Sequence, residues 1–441
     1  MKAIVFEYSM PRFAYARVFG ALTPNAYLGP LSPTRLREIP EPRLLGDQWT
    51  VVRTQVCGIC GSDTKQIFMD ADFDNPLTAI ITFPDVPGHE VVGVIEQVGP
   101  GVRERRVGER VLLNPWLSCV PRGIQPPCPA CQKGLYFVCE HFTDGDLPPG
   151  MHHGNSRAAT GGFAPLFPAH EAQLFPIPDD VSDEQAVLAD PFSVSLHAVL
   201  KAPPPDGGIA LVYGCGTLGL LNIAVLNALY PRADIVAIAR HARQVDLARQ
   251  MGAKHIIRVR NPAEIVTAIS ELVGSPVRRP NYGLPWLMGG VDVIYDTVGS
   301  PETLEVGLRI TRPRGRIVVT GVSRPKRFEW TPHYFKEIEL VGSNAFGVED
   351  FEGQRLHAMQ IYLRLAEQGR ISLPLSQASS QSSSQSSSLA SSQASSLASS
   401  LASSLASFIT HRYRLEQYRE ALLVGHNKDR HKAIKVIFDF R

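Results

Sequence analysis

Two short stretches carry the residues best suited to electrophilic chemistry. One reads Cys57-Gly-Ile-Cys60-Gly-Ser62-Asp63. The other, with its histidine 26 positions beyond Asp63, reads Pro87-Gly-His89-Glu90. A thiolate and an imidazole form a borderline-soft pair that suits zinc. With a third protein ligand and one open position they would make a Lewis-acidic centre. Read alone, CGICGSD also fits a glycine-rich turn, and a single histidine is more often structural. Four further cysteines, Cys119, Cys128, Cys131 and Cys139, are spaced C-x8-C-x2-C-x7-C. Four thiolates close a tetrahedral zinc site, so this second centre would stabilise a loop and do no chemistry. Their loop is too rich in Pro and Gly for four unrelated core cysteines. A third constellation is Gly214-Cys-Gly216-Thr217-Leu218-Gly219, which follows a strand pattern and opens a helix pattern. Its glycines permit a tight turn and close approach of a pyrophosphate, which would face the helix N-terminus.

These groups need elements to position them. Up to about Asp190 the sequence has short β-like runs, such as Val91–Val98 and Arg110–Leu113, separated by Gly/Pro turns. Little helical periodicity shows there, which predicts a mostly antiparallel, barrel-like domain. From Pro191 to Gly347 strands and helices alternate. Ile209–Tyr213, Ile235–Ala239, Val291–Tyr295 and Arg316–Thr320 read as strands, with helices over Leu218–Leu229 and Ala242–Met251. Such alternation implies a parallel sheet covered by helices on both faces. Residues 348–441 return to the first domain and close with a strand at Ala433–Phe438. Ser376–Ser407 interrupts them with Ser, Ala, Gln and Leu, a Gln or Leu recurring at every fourth position from Gln377 to Leu405. A four-residue repeat drifts about 40° per step on an α-helix and keeps no fixed face. The tract therefore reads as a disordered surface insertion.

The second strand of the alternating region ends at Ala239, where an acidic residue would bind the ribose 2′-hydroxyl of NAD. Arg240, His241 and Arg243 stand there instead. Cations without a carboxylate suit a 2′-phosphate, which points to NADP, NAD being the alternative. Across 441 residues the net charge is +2, with 44% hydrophobic and 20% charged residues. That balance lacks the basic surface a nucleic acid or acidic membrane would need. The uncharged run Ile209–Tyr230 is broken by three glycines and reads as strand, turn and buried helix rather than a membrane span. Seven cysteines, four of them clustered, indicate metal ligation in a reducing, cytoplasmic setting.

CGICGSD, PGHEVVGVIEQVG, the four-cysteine lobe and GCGTLG, in this order, resemble the medium-chain zinc-dependent alcohol and polyol dehydrogenases, and FITHRYRLEQYREAL echoes their C-terminus. The resemblance implies an α/β protein, with a GroES-like β-rich catalytic domain over 1–190 (zinc lobe at about 115–140), completed by 348–441. A Rossmann doubly wound parallel sheet would occupy 191–347, with the active site in the cleft between them. Carried over by position, Cys60 and His89 are catalytic-zinc ligands, and Glu90 is a ligand or an exchanging neighbour. Asp190, in LADPFSVSLHAV, takes the place of a Cys or Glu ligand; being one methylene shorter than Glu, it would reach zinc through water. Asp63 would orient the His89 ring, and Ser62 would relay the substrate proton. Relatives often place a His three residues after Ser62, where this chain has Lys65. Cys57 is a spare thiol. The activity implied is hydride transfer between an alcohol and NADP, using two zinc ions per chain. The partner is a small alcohol or carbonyl compound, and the assembly a homo-oligomer, dimer or tetramer. Two other readings have distinct signatures. A zinc-free double-bond reductase would lack Cys60, His89 and the cysteine lobe. A non-catalytic NADPH sensor would bind cofactor without turnover.

Overall fold

The computed structural model describes residues 1–70, 75–321, 323, 327–371 and 408–441, so the serine-rich tract at 376–407 lies outside the described residues. Two compact units form. The first gathers Met1–Asp190, Phe346–Leu363 and Ile409–Arg441; the second holds Pro191–Ala345 and the stretch from Arg364 to Phe408.

The first unit is built on a seven-stranded sheet. Its central strand β1 (Trp49–Gly58) is rich in β-branched residues and pairs antiparallel with β2 (Glu90–Val98). Beyond β2 come β3 (Arg110–Leu113) and, past it, Leu174–Pro176; on the other side of β1 lie Lys435–Asp439 and Ile409–Tyr413. Leu166–His170 also pairs with β1. Side chains from these strands, including Val52, Val91, Phe167, Val436 and Phe438, make one apolar core with Phe163. The register that this core enforces sets Gly58 opposite Glu90 and Ile437 opposite Gly58. The ends of three strands thus meet at one place.

A helix over Met10–Gly20 was not expected in this part of the chain. Pro11 is pre-organised for its first turn. Met10, Val18 and Phe19 are exposed, so apolar residues do not gather on one face and the helical period is silent in the sequence.

The second unit is a six-stranded parallel sheet. It uses β4 (Ile209–Tyr213), β5 (Asp234–Ile238), β6 (His255–Ile257), β7 (Val291–Asp296), β8 (Thr311–Val319) and β9 (Glu339–Gly342), in the order β6-β5-β4-β7-β8-β9. The near-continuous apolar runs of β4 and β5 are those of strands buried on both faces. The order reverses between β4 and β7, which makes the carboxyl ends of these two strands the switch point of a doubly wound sheet. Among the described residues no helix is long and apolar enough to cross a membrane.

Asp85, just before the PGHE turn, is buried beside Phe6, and the two residues exchange both backbone hydrogen bonds at 3.0 Å. Its Oδ2 accepts from Gln66 Nε2 at 2.8 Å, while Oδ1 has no partner among the described residues. Burial pushes its pKa well above the ordinary carboxylate range, despite the bond from Gln66. The unfolded carboxyl ionises near pH 4. Between that pH and the higher folded pKa the folded state binds more protons, so the contribution of this group to stability falls as pH rises. Asp85→Asn carries no charge to desolvate. It should melt close to wild type near pH 4 and be more stable by about 1 to 3 kcal/mol at pH 7. Thermal melts across that range read the difference; a gap that does not change with pH would contradict it.

Candidate active site

Cys60 leaves β1 and caps α1 (Gly61–Ile67). Its backbone N–H donates to Asp63 Oδ2 at 2.9 Å, and the Asp63 backbone returns a bond to the Cys60 side chain, a reciprocal cap. The other oxygen of Asp63 accepts from the Gly88 N–H at 3.3 Å. It also stands 3.3 Å from His89 Nδ1, in contact but off hydrogen-bond geometry. One buried carboxylate therefore ties the thiol-bearing turn to the imidazole-bearing turn. The ligand atoms of Cys60, His89 and Glu90 lie within 4.8 Å of one another. Thiol, imidazole and carboxylate together are a donor set that fits zinc. Asp190 is not in that set. It is buried in the first turn of the helix Ala189–Lys201, where burial and the nearby Glu90 push its pKa up to about 7 against the pull of His89 and Lys435.

Burial disfavours charge on His89, but the Asp63 carboxylate and the Cys60 sulfur outweigh it and hold its pKa above the usual range. The reciprocal effect overcomes burial at Asp63 and holds its carboxyl below the usual range. Glu90 forms an ion pair with Lys435, both side chains 2% exposed. Lys435 Nζ also donates to Ile59 O at 3.4 Å. Gly58 lies between the two charged chains: a Cβ there would collide with the Glu90 carboxylate and come within 2.9 Å of Lys435 Nζ. Ser62 is exposed in the first turn of α1. Lys65, one turn on, is half-buried, and burial lowers its pKa. Cys57 is buried, and burial raises its thiol pKa.

Cys119, Cys128, Cys131 and Cys139 also converge, all four buried, their sulfurs within 4.8 Å of one another. The Cys119 and Cys139 sulfurs are 3.6 Å apart, close to the roughly 3.8 Å edge of a tetrahedron with 2.3 Å zinc–sulfur bonds. Backbone N–H groups of Cys128 and His141 donate to the sulfurs of Cys119 and Cys139 at 3.3 and 3.4 Å. All seven cysteines are free thiols. Arg122, fully buried, donates to the carbonyls of Leu117, Asp144, Leu147, Pro148 and Gly150, tying this lobe to the loop that follows it.

In the second unit the glycine-rich turn joins β4 to α2 (Thr217–Leu229). Gly214 has φ +91°, and a Cβ on Gly219 would strike the Gly214 carbonyl oxygen. A Cβ at Gly216 would meet nothing within 4 Å, which leaves the backbone open to a close ligand. Thr217 is buried as the helix opens, and Leu218 follows it into the first turn. Arg240 and Arg243 are exposed after β5, and Gln244 Oε1 accepts from the backbone N–H groups of Arg240 and His241 at 3.2 and 3.3 Å.

Three residues escaped the sequence reading. Lys435 sits in the apolar strand AIKVIF; a lysine in such a run must be paired, and that signal was available. Thr297, next after β7, donates to the carbonyls of Tyr213 and Gly214 at 3.1 and 2.9 Å and so braces the glycine turn. His152 packs against His89 with tilted rings, centroids 4.7 Å apart, and nothing local marks it.

One unit with a Cys-His-Glu cluster and another built on a doubly wound nucleotide-type sheet, in a single chain, are the parts of a metal- and dinucleotide-dependent oxidoreductase. Residues 46–179 match the alcohol dehydrogenase GroES-like domain, and residues 217–359 match the zinc-binding dehydrogenase family. The chain is 30% identical to L-idonate 5-dehydrogenase of Vitis vinifera over 68% of this chain and 74% of that one. It is 29% identical to (R,R)-butanediol dehydrogenase of Saccharomyces cerevisiae over 71% and 81%. The crystal structure of the alcohol dehydrogenase from Aeropyrum pernix superposes with a TM-score of 0.69 at 20% identity, covering all of both chains, and shares the fold. This chain belongs to the zinc-dependent medium-chain alcohol dehydrogenase family. It is an oxidoreductase acting on alcohols with zinc and a nicotinamide cofactor.

Proposed function

We propose that the enzyme passes a hydride between a carbinol carbon of a polyol or sugar alcohol and NADP, with two zinc ions per chain. The observation that carries the reading is the convergence of Cys60, His89 and Glu90 within 4.8 Å. Cys60 and His89 hold the catalytic zinc, Glu90 is the third ligand, and Asp190 acts through water. The four cysteines hold the second ion. Relatives named for butanediol and L-idonate act on compounds with neighbouring hydroxyls, which supports the polyol class. In this reading residues 1–190 and 348–441 are the catalytic domain, residues 191–347 bind the cofactor, and the enzyme works as a homo-oligomer in the cytoplasm.

When bound, zinc supplies the Lewis acidity that lowers the alcohol pKa, and the nicotinamide accepts or returns the hydride. The chain does the rest. Asp63 fixes the His89 ring and the Cys60 turn together, so the ligand geometry exists before metal arrives. Lys435 pairs with Glu90 in a buried ion pair and so would balance part of the carboxylate charge beside a bound ion. The Ser62 hydroxyl relays the substrate proton towards solvent, without the imidazole that relatives often carry at the position of Lys65. Gly214, Gly216, Thr217, Leu218 and Gly219 cradle the pyrophosphate, and Arg240 and Arg243 hold the 2′-phosphate.

The test is steady-state kinetics on a polyol panel with both cofactors, beside metal analysis. Expected are two zinc per chain and a higher kcat/KM with NADP⁺ than with NAD⁺. The double variant Arg240→Ala/Arg243→Ala should lose about 10- to 100-fold in kcat/KM for NADP⁺ and little for NAD⁺. A wild type that prefers NAD⁺ refutes the phosphate assignment. One that binds cofactor but turns over no alcohol refutes the dehydrogenase reading.

A further inference from the structure

We propose that His152 is a specificity-determining residue: its Nε2 accepts a hydrogen bond from a substrate hydroxyl adjacent to the reacting carbon, selecting vicinal diols and α-hydroxy ketones. The inference rests on the zinc-dehydrogenase reading and names the substrate class of the same site.

The orientation of the ring is determined locally. His152 Nδ1 lies 2.6 Å from the His153 carbonyl oxygen. A carbonyl can only accept, so Nδ1 carries the proton and Nε2 presents its lone pair. Nε2 has no hydrogen-bond partner among the described residues, and the side chain is half-buried.

The position is equally constrained. The ring lies against His89 at 4.7 Å between centroids, tilted by 52°. A substrate oxygen must sit within bonding distance of the ion that His89 holds. The substituent on the next carbon is then in reach of a ring packed on that ligand. The backbone is clamped: the N–H of His152 donates to Asn155 Oδ1 at 3.1 Å, His153 N–H to Pro115 O at 2.9 Å, and Leu117 N–H to Met151 O at 2.9 Å. Arg122 holds the Gly150 and Leu117 carbonyls at 2.6 and 2.8 Å, on either side of that clamp. Such an acceptor is pre-organised, and its hydrogen bond needs no rearrangement.

A second polar group is left over at the same wall. Trp116 meets His152 edge-on, centroids 5.7 Å apart at 87°, and is 7% exposed. Its indole N–H is buried with no partner among the described residues. A buried donor without a partner is costly enough that water or a ligand oxygen normally satisfies it. An acceptor and a donor on one wall complement a hydroxyl, which can donate to the first and accept at the second.

The experiment compares butane-2,3-diol with butan-2-ol, which differ by one hydroxyl, on the zinc-loaded full chain with cofactor. His152→Phe keeps an aromatic ring against His89 and removes the acceptor; His152→Gln keeps an acceptor. For His152→Phe, kcat/KM for the diol should fall about 10- to 100-fold while that for the mono-alcohol changes little, and zinc content should stay at the wild-type level. His152→Gln should recover most of the diol preference. Equal losses on both alcohols, or no loss on either, would overturn the assignment. Calorimetric binding of the two alcohols keeps the two readings apart. Diol binding that depends on His152 without turnover would sustain the subsite and sink the dehydrogenase reading. Turnover of both alcohols with no diol preference in wild type would do the reverse.

Discussion

Cys60→Ala should lower kcat/KM for every alcohol by at least about 10³-fold, because the substitution removes the thiolate that anchors the catalytic ion. The loss is chemical rather than structural. Cys60 is half-buried at the start of α1, and its backbone bond to Asp63 survives the change of side chain. The variant should therefore fold and keep its affinity for the nicotinamide cofactor, since the glycine turn belongs to the other unit. Metal analysis should find one zinc per chain in place of two, the remaining ion held by the four cysteines. His89→Ala should lose activity as severely and also leave Asp63 with an uncompensated buried charge. Its melting temperature should therefore fall further than that of Cys60→Ala, which loses only the stabilisation that the bound ion gives. Retention of both zinc ions and of most activity in Cys60→Ala would remove this residue from the mechanism.

Cys131→Ser should produce the opposite pattern, a large loss of stability with a smaller effect on chemistry per folded molecule. Cys131 is buried among three other sulfurs within 4.8 Å. In the metal-bound protein those thiolates repel one another unless an ion neutralises them. Loss of one ligand should weaken the ion enough for a mild chelator to strip it, at a cost of about 4 kcal/mol or more. The effect should spread beyond the lobe, because Arg122 ties the carbonyls of Leu117 and Gly150 to it and these bracket the His152 loop. Differential scanning calorimetry with and without chelator reads this directly. Wild type should lose stability when stripped, and the variant should start near that stripped level. If stripped wild type and Cys131→Ser both melted with the zinc-loaded enzyme, the four cysteines would hold no structural ion.

Much of the site was legible because its parts are local. The Cys60–Asp63 cap spans four consecutive residues, inside the segment that reads as a glycine-rich turn. The glycine turn is equally local: strand, turn and helix are contiguous, and Gly214 adopts the left-handed φ its residue type allows. The strands of the parallel sheet were readable for a related reason. Strands buried on both faces must be apolar at every position, as β4 is. The helix Met10–Gly20 was not readable, because its apolar residues do not fall on one face.

The residue types, and hence the chemistry available, are a property of the sequence: thiol, imidazole and carboxylate for a cation, glycines for a phosphate, arginines where an acid would otherwise stand. Which of them meet was decided by strand register. Pairing of Gly58 with Glu90 and with Ile437 brings Glu90 and Lys435 together across 345 residues of chain, a contact no local pattern encodes. The same long-range packing leaves Asp190 outside the three-atom cluster and sets His152 against His89. Short-range preferences act through the dihedral angles of a few neighbouring residues. Contacts between distant segments exist only once the core has fixed which strand lies beside which.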